Sequence, residues 1–75
     1  MSTLALDVRP FHERGEEPFG AIMSAVESLQ PDQEFLLVNS FEPIPLYRVM
    51  EKRGFTHQTS EISADEWHIV FRRKE

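Results

Sequence analysis

Residues 34–39 read Glu34-Phe35-Leu36-Leu37-Val38-Asn39, an unbroken apolar run closed on both sides by polar residues. A short apolar stretch without alternation indicates a central strand buried on both faces, and such a strand needs other elements packed around it. Just before it, Gln30-Pro31-Asp32-Gln33 makes a turn. Before the turn, Phe19, Ile22, Met23, Val26 and Leu29 recur at three- and four-residue spacing. That is the apolar stripe of a helix, predicted over 18–29 with Pro18 in its first turn. Further back, Leu4, Leu6 and Val8 alternate with Ala5 and Asp7, the pattern of a strand over 4–8 with one buried face. The polar stretch from Arg9 to Glu17, with Pro10 and Gly15 as breakers, reads as a loop.

On the C-terminal side, Ser40 to Ile44 forms a loop holding Pro43. A second helix is predicted over 45–53, opened by Pro45 and turning Leu46, Val49 and Met50 inward. Gly54 is its left-handed stop, with Phe55 packing back on Met50 as in a Schellman ending. Residues 55–62 and 66–73 are rich in strand formers and are separated by Ser63-Ala64-Asp65, so they read as an antiparallel hairpin. Trp67, Ile69 and Phe71 mark its buried face; His57 faces inward with Phe55, and His68 faces outward with Val70. The order β-α-β-α-β-β belongs to the α+β class. It predicts a two-layer α/β sandwich, a mixed four-stranded sheet with two helices on one face. No repeat or linker-like composition interrupts the chain, so residues 1–75 are expected to form one domain. The other sheet face stays open. It carries either Leu36 and Val38 or Phe35 and Leu37, beside Ala5 and Val70, an apolar patch suited to a protein partner or a second copy of the chain.

Composition narrows the function classes. A chain of 75 residues buries only about 60% of the surface its unfolded form exposes, so its stability should be marginal. It has no cysteine, which rules out a disulfide, a thiol nucleophile or a thiolate-bound metal of its own. Thirteen acids against eight bases give a formal charge of −5, which opposes the counterion release that sustains nucleic-acid binding. The first half is the acidic one, since only Arg9 and Arg14 are basic before Arg48. Arg72-Arg73-Lys74 is the one basic run, and without interleaved aromatics it reads as a solvated strand end. Asp7 and Arg9 follow Met1 too closely for a signal-peptide core or a membrane span, so a cytoplasmic location is expected.

Leu6-Asp7-Val8-Arg9, the helix opened by Pro18, the strand ending Val38-Asn39, the Glu42-Pro43-Ile44-Pro45-Leu46-Tyr47 turn, Arg53-Gly54-Phe55, and Trp67-His68-Ile69-Val70-Phe71-Arg72 together resemble the TusA/SirA-like sulfur-carrier superfamily. The likeness spans nearly the whole chain and is closest to a branch known only as a domain of unknown function. Members of that branch read LDVR near the start, NxxxPxPLY in the middle and a tryptophan in the last strand. In the carriers a Cys-Pro pair opens the first helix, where the helix amino terminus favours the thiolate. The matching pair here is Glu17-Pro18. Glutamate cannot hold a persulfide, so the resemblance implies the carrier's scaffold and docking surfaces without its chemistry.

The loops at the carboxyl ends of the first two strands should lie side by side, where open α/β sheets bind ligands. They gather Arg9, His12, Glu16, Glu17, Asn39, Glu42 and Tyr47, the candidate ligand- or partner-binding residues. The plainest role for Glu16, Glu17 and Glu42 is to complement the helix dipoles. Tyr47 should pack its ring and expose its hydroxyl. His12 with Glu13, Glu16 or Glu17 offers nitrogen and oxygen donors for zinc or iron, although their spacing matches no dedicated motif. No catalytic residue and no cofactor is called for, and Ser40 has no base evident beside it in sequence. A non-catalytic binding or adaptor module is therefore the leading expectation. A metal or small-ligand site on the two loops is the alternative.

Overall fold

In the computed structural model, which describes residues 2–74, the elements run β1 (Thr3–Asp7), α1 (Arg9–Glu13), α2 (Phe19–Glu27), β2 (Glu34–Asn39), α3 (Ile44–Lys52), β3 (Phe55–Ser63) and β4 (Glu66–Arg73). The sheet order is β1-β2-β4-β3. β1 lies parallel to β2, while β4 runs antiparallel to both its neighbours, so the sheet is mixed as predicted. Pairing Leu37 with Leu6 on one side and Ile69 on the other aligns the inward positions of three strands.

That alignment makes one core. Phe35, Leu37, Ile69 and Phe71 are fully buried against Ile22, Met23 and Val26 of α2 and Leu46 and Met50 of α3. Each such side chain stabilises the fold by about 1.5–3 kcal/mol relative to exposure. With a single cluster serving both long helices, the structure is a two-layer α+β sandwich. Burial alternates strictly along β2, so Leu36 and Val38 take the open face and are only half-buried. The run of apolar letters had implied burial on both faces; a strand in a two-layer sandwich gets that cover on one side alone.

Three local differences from the sequence reading have physical causes. The polar stretch after β1 contains α1, a single turn that starts where the Asp7 carboxylate accepts the Arg9 backbone N–H at 3.0 Å. Pro10 fits there because a proline in the first turn removes no needed hydrogen bond, and Gly15 ends the excursion at φ +69°. α2 stops at Glu27 rather than residue 29, with the Ser28 hydroxyl donating back to the Ala25 carbonyl. α3 ends at Lys52 and is closed by Gly54, φ +88°, whose N–H donates to the Glu51 carbonyl while the Arg53 N–H donates to that of Met50. One Schellman bond is thus joined by a tighter bond of the 3₁₀ type.

Candidate functional site

β1 and β2 are parallel neighbours, so their following segments emerge at the same end of the sheet. The Val8 N–H donates to the Val38 carbonyl at 2.9 Å and extends the pairing into the loops. At this end the Asp7, Arg9, Pro10, His12, Glu13, Ser40 and Asp65 side chains line a shallow open hollow of about 420 Å³. Arg9, His12 and Asn39 of the expected cluster come together here.

His12 is held from below. Its Nε2 lies 2.9 Å from Oδ1 of Asn39, which is 3% exposed, and the same oxygen accepts the Ser40 backbone N–H at 2.9 Å. The Ser40 donor fixes that atom as the amide oxygen, so His12 Nε2 must carry the hydrogen. In the neutral imidazole Nδ1 is then the remaining acceptor. Its ring tilts against Phe41 at a centroid distance of 5.0 Å.

Arg9 is bound into a charged chain across the open face. Its guanidinium bonds Asp7 at 2.8 Å and reaches Glu66 at 3.4 Å, and Glu66 meets His68 Nε2 at 2.8 Å. The Arg9 side-chain bond holds the Asp7 carboxyl below its usual range, aided by the Arg9 amide and the charges of Arg9 and His68. Asp7 in turn raises the Arg9 guanidinium above its ordinary value. Glu66 and His68 stand far along the chain; only the pairing of Val38 with His68, beside that of Asp7 with Val38, brings them here.

The rest of the expected cluster divides. Glu16 pairs with Arg14 at 2.9 Å, and Glu17 accepts the Phe19 N–H at 3.1 Å at the start of α2. The plainer role of Glu17, complementing the helix terminus, is the one its geometry shows. Glu42 and Tyr47 form a second group toward β3. The Tyr47 hydroxyl lies 3.0 Å from the Glu42 carboxylate and 2.6 Å from the Thr59 hydroxyl. Since a carboxylate only accepts, Tyr47 donates to Glu42 and accepts from Thr59. The hydroxyl of this partly buried side chain is thus bonded on both sides. Burial is the main cause that raises the Tyr47 pKa, with Glu42 adding to it and the Thr59 bond opposing it. His57, on the inward side as expected, stacks on the Tyr47 ring, whereas His68 lies on the opposite face.

The metal alternative finds no supporting geometry. Among the described residues, no three His, Asp or Glu side chains are placed to hold a metal ion. His12 faces Asn39, while Glu16 and Glu17 turn to their own neighbours. The basic run behaves as a strand end: Arg72 pairs with Glu34, and Arg73 lies over the Phe55 ring and bonds the Leu29 carbonyl.

What periodicity could not show is where the exposed apolar surface lies. Phe19, Phe41, Ile44 and Ile62 are 46%, 51%, 62% and 54% exposed. Phe19 opens α2, Phe41 and Ile44 lie between β2 and the body of α3, and Ile62 precedes the β3–β4 turn. All four therefore lie at the sheet end that holds the hollow.

These features define a small α+β sandwich domain with a polar hollow and an exposed apolar rim at the carboxyl ends of its parallel strands. The chain belongs to the family described as "Uncharacterized conserved protein (DUF2249)", whose model matches residues 5–73. No curated protein and no solved structure matches the chain. No helix among the described residues is long and apolar enough to cross a membrane.

Proposed function

We propose that this chain is a non-catalytic binding or adaptor module that docks a protein partner. The observation that carries the reading is the gathering of Phe19, Phe41, Ile44 and Ile62 at one end of the sheet. They spread across that end from the α2 side to β3, and exposed apolar surface of this kind suits a protein partner. The polar groups nearby also favour binding over turnover, because they engage one another: Arg9 with Asp7 and Glu66, His12 with Asn39, Tyr47 with Glu42. The half-buried strip of Leu36, Val38 and Val70 on the open face is a second surface, suited to the same partner or to another copy of the chain.

The likeness to the sulfur-carrier scaffold supports a place beside redox or sulfur metabolism, in a cytoplasmic setting. With Glu17 where the carriers keep cysteine, the module would present that scaffold's surfaces without relaying sulfur itself. The test is affinity capture with the wild-type chain and with a Phe41→Ser/Ile44→Ser variant as baits, alongside light scattering. A partner held by the wild type and lost by the variant is expected. A monomer at high concentration with nothing held above background would overturn the reading.

A second reading rests on one bond. Asn39 fixes His12 beside the hollow with Nδ1 free to accept, an arrangement that would orient a small hydrogen-bonding ligand. It predicts that His12→Ala abolishes any ligand-induced thermal shift; a shift retained by the variant would end it.

A further inference from the structure

The partner's chemistry is narrowed by how charge is distributed along the sheet axis. β1 and β2 end, and β4 begins, at the end that carries the exposed apolar side chains. Among the described residues there, Arg9 and Arg14 are already paired, with Asp7 and Glu66 and with Glu16 respectively. Glu13, Glu17, Glu42 and Asp65 stand at the same end with no cation within ion-pair distance. Glu17 and Glu42 bond a backbone amide and a tyrosine hydroxyl, which leaves their negative charge in place. The bases Lys52, Arg53, Arg72, Arg73 and Lys74 fall at the opposite end, where β4 finishes and β3 begins, and Arg48, one turn into α3 from Ile44, is the one exposed base near the rim outside an ion pair among the described residues. The apolar rim is therefore set in an acidic field.

Resting on the docking surface argued above, we infer that it takes a basic amphipathic segment of a protein partner. Apolar side chains of that segment would seat among Phe19, Phe41, Ile44 and Ile62. Its Lys or Arg side chains would face the four carboxylates that stand outside any ion pair. Such an arrangement uses apolar anchors for affinity and complementary charge for approach and choice of partner. An acidic or anionic partner would meet net repulsion there, because the acids outnumber the bases at this end.

The test follows amide shifts of the isotope-labelled full chain with three synthetic probes: an amphipathic Lys/Leu peptide, its Glu/Leu counterpart, and a Lys/Ser peptide of equal charge. The Lys/Leu peptide is expected to shift residues 12–19, 39–44 and 61–63. Phe41→Ser/Ile44→Ser and, separately, Glu13→Gln/Asp65→Asn should each weaken it by about tenfold, with the spectrum otherwise that of the folded chain. Equal binding of the Glu/Leu peptide at the same residues would overturn the basic assignment while leaving the docking surface intact. Equal binding of the Lys/Ser peptide would reduce the attraction to bulk charge and overturn the seating of apolar anchors. If none of the three moved these residues, the docking surface itself would fall.

Discussion

The Tyr47 ring lies flat against the His57 imidazole, with centroids 3.8 Å apart and planes 7° from parallel. This stack joins α3 to β3, and the Thr59–Tyr47–Glu42 hydroxyl chain fixes its position. Tyr47→Phe keeps the stack and removes the chain. It should cost about 1 kcal/mol, lowering the melting temperature by roughly 4–8 °C for a domain of this size. The pH response gives a second check. Because burial raises the Tyr47 pKa in the folded state, its contribution is fully present below the ordinary tyrosine range, near pH 10, and is lost as pH rises beyond it. Denaturant titrations above pH 10 should show a steeper loss of stability in the wild type than in Tyr47→Phe.

Asn39 should be the most sensitive polar residue of the strand-end cluster. Asn39→Ala leaves the Ser40 N–H and His12 Nε2 without their shared acceptor, in a place 3% exposed. Leaving these partly buried donors unmet costs about 1 kcal/mol, the low end of the range for an unmet donor, readable as a lower urea midpoint at unchanged slope. His12→Ala should cost less, since His12 is half-exposed and water can replace it at Asn39. The reverse order would mean that His12 packing against Phe41, and not the Asn39 bond, holds these loops.

The strands and both long helices were legible because their apolar residues keep to the periods of two and three-to-four that one buried face imposes. What escaped reading depended on contacts that local sequence does not encode. α1 was hidden because Pro10 and Gly15 look like breakers, while its support is the Asp7 side chain reaching the Arg9 amide. Which pair of β2 residues faces the core stayed open because Phe35, Leu36, Leu37 and Val38 are all apolar; the pairing with Phe71 and Ile69 resolves it. Glu66 and His68 join Arg9 only through two strand registers. Glu16 and Glu17 were drawn into the candidate site by proximity in sequence, yet near neighbours two residues away engage them first.

Two glycine substitutions should have opposite signs. Gly54 has φ +88° with nothing within 4 Å of a built Cβ, so Gly54→Ala meets only the left-handed backbone penalty of roughly 1–2 kcal/mol. Gly20 is the second residue of α2 in equally open space, and Gly20→Ala should stabilise by at most about 0.5–1 kcal/mol, the helix-interior value. Thermal melts of the two variants against wild type would show the split; two losses would mean that α2 needs the freedom of Gly20.

Leu36 and Leu37 are neighbours of the same type with opposite surroundings, which makes them a direct test of the open face. Leu37 is 0% exposed and packs under the helices, so Leu37→Ser should remove several kcal/mol, roughly the 2–5 seen for large-to-small core changes, and leave the chain largely unfolded. Leu36 is half-buried on the uncovered side, paired across to Ala5 and Val70. In an isolated chain Leu36→Ser should cost well under half as much, by urea midpoint. If the open face is covered in solution by a second copy, the penalty for Leu36→Ser should instead grow with protein concentration, because it then weakens association as well as packing. A penalty equal to that of Leu37→Ser at every concentration would contradict the two-layer arrangement.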